Sequence, residues 1–195
     1  MKNTIHYVLI LDQSGSMIDL KKEVILSYNE QVEMILKLIE TESDSEIKLT
    51  LCVFNNDVEF KFINQGVDKV KKLTIKDYQP SCSTALYDAI GTSFLKISEL
   101  QQPNDQVFFA IFTDGLENAS KFYSSEDINY KISNAEKNGW SIKFFCRYED
   151  RSFYKNKLHI SDACLFSVSL DEAGFKLMEN EISYKLKSMT NKQKS

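Results

Sequence analysis

With 195 residues, 43% of them hydrophobic, the chain can bury a core of ordinary size without disulfides, and its expected organisation is a single domain over residues 1–195. Only 6 glycines and 2 prolines exclude a collagen-like, linker-rich or disordered character. The 24 basic and 28 acidic residues leave a net charge of −4, and the scattered lysines offer nucleic acid no basic face.

The first apolar run, Ile5–Leu11, is shorter than most signal-peptide cores and meets Asp12 with no small-residue cleavage site after it. Within it, Tyr7–Leu11 reads as a strand buried on both faces. Val24, Tyr28, Val32, Ile35 and Ile39 then recur at steps of three or four, which predicts a helix over Leu20–Glu40. Ile47–Phe54 and Val58–Ile63 read as strands joined across Asn55-Asn56-Asp57, residue types that tolerate the left-handed backbone of a tight hairpin turn. Gln65–Ser83 is the longest stretch without an evident element, and long loops of that kind are often functional. Leu86, Ile90, Phe94 and Ile97 predict a helix over Ala85–Leu100, and Val107–Phe112 is the most hydrophobic strand. Ser124 and Asp127 have the spacing of a capping box before a helix bearing Ile128, Ile132 and Ala135, which Gly139 ends. A strand over Ile142–Cys146, a short helix near Ser152–Leu158 and a sixth strand over Ala163–Val168 follow. Phe175, Met178, Ile182, Leu186 and Met189 mark a last amphipathic helix, and the basic end from Lys187 to Lys194 predicts a frayed tail at 188–195 beyond a core of about 5–187.

Strand and helix alternate, so the expected fold is a three-layer α/β structure: a mostly parallel six-stranded sheet with one antiparallel edge strand and helices on both faces. No segment approaches the ~20 apolar residues that span a bilayer. Cys52, Cys82, Cys146 and Cys164 are far apart and show no C-x-x-C spacing, which fits a reduced, cytoplasmic protein. The aromatics Phe108, Phe109, Phe112, Phe144 and Phe145 read as core, His6 and His159 as packing or surface residues, and Trp140 as an anchor of the last helix on the sheet.

In open α/β folds, ligands sit beyond the carboxyl ends of the strands. Three polar clusters fall there: D-Q-S-G-S (12–16), S-C-S-T-A-L (81–86) and T-D-G-L-E-N (113–118). The candidate ligands are Asp12, Ser14, Ser16, Thr84 and Asp114, two carboxylates and three hydroxyls. An all-oxygen set suits a hard cation such as Mg²⁺, whose double charge two carboxylates offset. Gly15 is expected to let the backbone turn so that Ser14 and Ser16 both face inward. Taken singly, these residues read as turns and helix caps, Thr84 as an N-cap. Their joint placement at the ends of two strands and the start of a helix favours an ion cradle. Glu117 and Asn118 read by default as solvated loop, with a place facing the site as the alternative, and Asp88 as a surface or capping residue or an orienter of a bound water or hydroxyl.

The three clusters resemble the metal-ion-dependent adhesion site of von Willebrand factor type A domains: D-x-S-x-S, then a distant Thr, then a distant Asp. The chain is similar to small bacterial members of that family in T-A-L-Y-D-A-I-G (84–91), T-D-G-L-E-N-A-S (113–120) and the G-W (139–140) before a strand, over about Ile5 to Lys187. The resemblance implies a Rossmann-like sheet with Mg²⁺ or Mn²⁺ at its carboxyl edge. Ser14, Ser16 and Thr84 would touch the ion, Asp12 and Asp114 would act through water, and a partner protein's acidic side chain would supply the last ligand. It implies a metal-dependent adaptor rather than an enzyme, with an AAA-type ATPase or stress-response assembly as the kind of partner. Many relatives have Gly or another small residue before the Thr; Ser81-Cys82-Ser83 here predicts a loop of different shape with Cys82 at the rim. Two alternatives stand beside it: a phosphoryl-transfer enzyme of haloacid dehalogenase type, and a structural subunit with an unused metal site. The first wants D-x-D, and Ser14 at the matching position cannot exchange a proton at neutral pH. Neither G-x-S-x-G nor a P-loop is present.

Overall fold

A computed structural model describes residues 3–41 and 45–191; the end of the expected tail, 192–195, lies outside them. In chain order the elements are β1 (Asn3–Asp12), a 3-10 turn (Gly15–Leu20), α1 (Lys21–Thr41), β2 (Ser45–Phe54), β3 (Val58–Gly66), a second 3-10 turn (Val67–Lys69), α2 (Leu86–Leu100), β4 (Gln106–Phe112), α3 (Ser125–Lys137), β5 (Ser141–Cys146), α4 (Arg151–Lys157), β6 (Leu165–Ser167) and α5 (Glu172–Asn191). The strands form one six-stranded sheet in the order β3-β2-β1-β4-β5-β6. All neighbours are parallel except β2 and β3, the antiparallel pair at one edge.

Strand order reverses between β1 and β4, so the loops leaving these adjacent strands diverge and open a crevice at the carboxyl edge. Alternation along β1 divides the core. Ile5, Tyr7, Leu9 and Leu11 pack with α1 and α5, while Val8 and Ile10 pack with α2, α3 and α4. Burial on both faces is why this strand reads as a continuous apolar run.

Several expectations hold in detail. The α3 capping box is reciprocal: Asp127 N–H donates to Ser124 Oγ (3.2 Å), and Ser124 N–H donates to the Asp127 carboxylate (2.8 Å). Gly139 ends the helix in the left-handed conformation, φ +81°.

Others are corrected. None of Asn55, Asn56 and Asp57 is left-handed; the hairpin closes through Asp57 N–H on Asn55 Oδ1 (3.0 Å) and Asn55 N–H on the Asp57 carbonyl (3.0 Å). The left-handed asparagine is Asn64, φ 52°, where β3 runs on past Ile63 and its register against β2 shifts. Thr84 is not an N-cap, since α2 starts at Leu86 and no side chain caps it. Trp140 does not anchor the last helix. Its ring stacks on Phe109 (5.4 Å) and meets Phe94 (5.5 Å), and its Nε1 donates to Gln101, all on the sheet face opposite α5. His6, by contrast, packs as expected: it is buried, with Nδ1 2.9 Å from Asn64 Oδ1 and Nε2 2.9 Å from Asp105 Oδ2.

Candidate metal centre

β1 ends in Asp12, a fully buried carboxylate. One oxygen accepts the Ser14 N–H (2.7 Å), and the other accepts the Thr113 hydroxyl (2.6 Å) at the end of neighbouring β4. The Ser14 and Ser16 hydroxyls lie 3.1 Å apart, and Ser16 Oγ donates to Asp114 Oδ1 (2.6 Å). Thr84 arrives from the loop before α2. A Cβ on Gly115 would stand 3.6 Å from Ser16 Oγ and 3.7 Å from Thr84 Oγ1, so both hydroxyls converge over the residue after Asp114. The structure thus gathers Asp12, Ser14, Ser16, Thr84 and Asp114 at the switch point.

Backbone bonds hold the three loops in register. Gln13 N–H donates to the Phe54 carbonyl (2.6 Å), Ser81 N–H to the Gln13 carbonyl (3.0 Å), and Gly15 N–H to the Cys82 carbonyl (3.0 Å). Gly15 does not adopt a positive φ; its small size matters instead, because a Cβ there would come 3.3 Å from the Cys82 carbonyl oxygen. Cys82 is exposed at the rim as expected, and it takes the left-handed conformation (φ 66°) that glycine adopts without strain. Thr84 is pinned by Asn118, whose side chain accepts the Thr84 N–H (2.9 Å) and whose N–H donates to the Thr84 carbonyl (3.0 Å).

Glu117 and Asp88 are clasps rather than solvated or surface groups. Glu117 accepts N–H bonds from Tyr87, Ala119 and Ser120. Asp88 is buried and accepts N–H bonds from Lys121, Phe122 and Tyr123. Together they tie the start of α2 to the loop that carries Asp114.

Three supporting residues lie outside the motif. Thr113 holds Asp12, and its place in T-D-G was a visible signal. Tyr78, buried in the Gln65–Ser83 stretch, donates its hydroxyl to the Asp12 carbonyl; one aromatic in a loop gave no sequence signal. Tyr154 on α4 donates to the Gly115 carbonyl, and only the fold brings it there.

Burial pushes the Asp12 carboxyl up to about 6, against the opposing hydrogen bonds from Thr113 and Ser14. Burial also raises Asp114, while the Ser16 hydrogen bond and the Arg147 guanidinium oppose it. Arg147 is itself held by Asp150, its Nε 2.7 Å from that carboxylate. Among the described residues no three His, Cys, Asp or Glu side chains stand where they could hold a metal ion. A cation here would rest on the mixed carboxylate and hydroxyl set. That set fits one: every donor is oxygen, the two carboxylates carry charge that burial disfavours, and the hydroxyls converge on them.

No family model matches the chain, and no curated protein matches it. Solved structures do. The PilB minor pilin from Streptococcus sanguinis superposes with a TM-score of 0.64 at 14% identity, covering 95% of this chain and 62% of the pilin. The vWF domain of the type V pili tip protein Mfa5 from Porphyromonas gingivalis gives 0.65 at 11% identity, over 95% of this chain and 97% of that domain. Proximal thread matrix protein 1 from the mussel byssus, with a zinc-occupied metal-ion-dependent adhesion site, gives 0.63 at 14% identity, over 94% and 46%. The chain thus spans less than two thirds of the pilin and of the byssus protein. Identities this low establish the fold alone, and that fold is von Willebrand factor A. Among the described residues no helix is long and apolar enough to cross a membrane.

Proposed function

We propose that the chain is a protein-binding module that works through a divalent cation, Mg²⁺ or Mn²⁺, held by Asp12, Ser14, Ser16, Thr84 and Asp114. The observation that supports this most is the convergence of three hydroxyls from two loops on two buried carboxylates, with Ser16 Oγ bridging to Asp114. The bound ion would supply a vacant position for a carboxylate oxygen of another protein. The residues of the chain do the rest. Ser14, Ser16 and Thr84 offer neutral oxygens that add no charge, Asp12 and Asp114 offset the ion, and Thr113 with the Ser14 N–H fixes the orientation of Asp12.

The similar solved structures, a pilin, a pilus tip protein and a thread matrix protein, agree with a binding role rather than catalysis. Haloacid dehalogenase chemistry would need an acid–base carboxyl where Ser14 stands, and its hydroxyl lies against Ser16 instead. The four cysteines are free, which favours a reducing compartment and an intracellular partner such as an AAA-type ATPase or stress-response assembly over the pilus setting of the relatives.

Pull-down from lysate with and without a chelator tests the proposal. A prey retained in Mg²⁺, lost on chelation and lost with Asp114→Ala supports it. A prey indifferent to both would remove the metal from the account.

A further inference from the structure

α1 and α5 pack side by side on one face of the sheet, and two hollows follow their seam. One, of about 520 Å³, runs toward Thr41 and Lys187, and the other, of about 730 Å³, toward Lys22 and Asp171. Glu30, Lys176 and Glu179 line both. Either volume suits a small ligand or a cluster of side chains. Their charges differ. Three glutamates meet three lysines in the smaller hollow. In the larger, five carboxylates (Glu23, Glu30, Asp171, Glu172 and Glu179) meet only Lys22 and Lys176. Leu26, 56% exposed, gives this acidic hollow an apolar wall.

The chain leaves these acids short of donors. The Glu179 side chain is nine-tenths buried, and its cation, Lys176, serves two carboxylates at once: Nζ lies 2.9 Å from Glu179 and 3.6 Å from Glu30. Burial pushes the Glu179 carboxyl up and the Glu30 carboxylate adds to the push, against hydrogen bonds from Lys176 and Ser27. Glu23 Oε2 is wholly buried and has no hydrogen-bond partner among the described residues. A carboxylate oxygen buried in that state costs free energy that an incoming donor recovers.

The chemistry of that donor follows from the spacing. Among the described residues no three His, Cys, Asp or Glu side chains stand where one metal ion could join them, so these acids are too widely spread for an ion's shell. A larger cation spans them. A guanidinium carries five N–H donors in a planar fork, is weakly hydrated, and brings an apolar stem to lie on Leu26.

We propose that the hollow between α1 and α5 is a second binding site, which takes a basic segment of another protein: an arginine flanked by apolar side chains, its guanidinium among Glu23, Glu30 and Glu179 and its flanks on Leu26. The acidic hollow selects the charge, and the apolar wall selects among basic segments by their neighbours. None of these residues is a candidate metal ligand, so the site is independent of the oxygen cradle.

The test uses the full chain in chelator, titrated with short capped peptides centred on Leu-Arg-Leu, Leu-Gln-Leu and Ser-Arg-Ser, and with spermidine. Leu-Arg-Leu should bind at least about tenfold more tightly than each of the other three. Its amide shifts in nuclear magnetic resonance should centre on residues 22–30 and 171–179. Glu23→Gln and Glu30→Gln should each weaken that binding severalfold, and Leu26→Ser should bring Leu-Arg-Leu down to the affinity of Ser-Arg-Ser. All three variants should keep the wild-type Mn²⁺ affinity. Failure of Leu-Arg-Leu to bind, a Leu-Gln-Leu peptide that binds equally well, or affinity unchanged in all three variants would overturn the proposal. Spermidine binding as tightly as the peptide would also overturn it, by making the occupant a small free cation.

Discussion

Asp12 makes the metal-free protein sensitive to pH in a direction opposite to the usual carboxylate. Burial lifts its carboxyl from 3.8 to about 6. A carboxyl raised on folding favours the folded state when protonated. Its contribution is therefore fully present below 3.8 and is lost as pH rises through about 6. The difference corresponds to at most about 3 kcal/mol, or a fall in Tm of roughly 6–12 °C for a chain of this size. Other carboxylates titrate nearby with the opposite sign: Asp105, for one, is held low by hydrogen bonds from Gln102 and His6 that outweigh its burial. The quantity to read is thus the difference in Tm between wild type and Asp12→Asn, both in chelator. Asp12→Asn keeps an oxygen for the Ser14 N–H and carries no charge to desolvate. It should melt above the wild type at neutral pH and lose that advantage as pH falls through about 6. Saturating Mg²⁺ should then raise the neutral wild type and leave Asp12→Asn unmoved. Parallel melting curves for the two proteins across this range would refute the reasoning, because an ionised Asp12 would then cost nothing to bury.

Tyr78→Phe leaves the Asp12 carbonyl without its donor in a buried setting, and should lower stability by about 1–3 kcal/mol, read as a lower urea midpoint at unchanged m-value. Thr84→Ala should weaken Mg²⁺ binding at least about tenfold, while Thr84→Ser recovers most of it because the hydroxyl is the donor; calorimetric titration distinguishes the two. Gly91→Ala places a methyl 2.5 Å from the Tyr123 ring beneath the Asp114 loop, and should cost about 1–3 kcal/mol, with much of the loss recovered in a Tyr123→Ala background.

What the sequence made legible was the part written in periodicity and in local chemistry. The runs around Leu9, Phe109 and Phe144 are buried on both faces, so their apolar character was nearly continuous and marked parallel strands. Ser124 with Asp127 and Gly139 act within a few residues of themselves, and both expectations hold. The convergence of the five candidate ligands followed from strand ends and a switch point, which topology fixes. The failures were tertiary. Asn55-Asn56-Asp57 closes its turn with an Asn side chain instead of a left-handed backbone, and the left-handed residue moved to Asn64, where the ladder shifts register. Trp140 joined Phe94 and Phe109 because the strand it precedes delivers it to that face. Tyr78 was illegible since nothing local says that a loop residue will reach the carbonyl of Asp12 from 66 positions away. Glu117 read by default as solvated loop and Asp88 as a surface or capping residue or an orienter, because most of their partners are backbone N–H groups, which no side-chain pattern reveals.

The most direct measurement is a Mn²⁺ titration of the wild type followed by electron paramagnetic resonance, repeated on Ser16→Ala and Asp114→Ala proteins whose circular dichroism shows them folded. The account predicts one saturable ion per chain in the wild type, displaced by Mg²⁺, and its loss in both variants. A wild type that binds no ion, or variants that bind it as the wild type does, would contradict it.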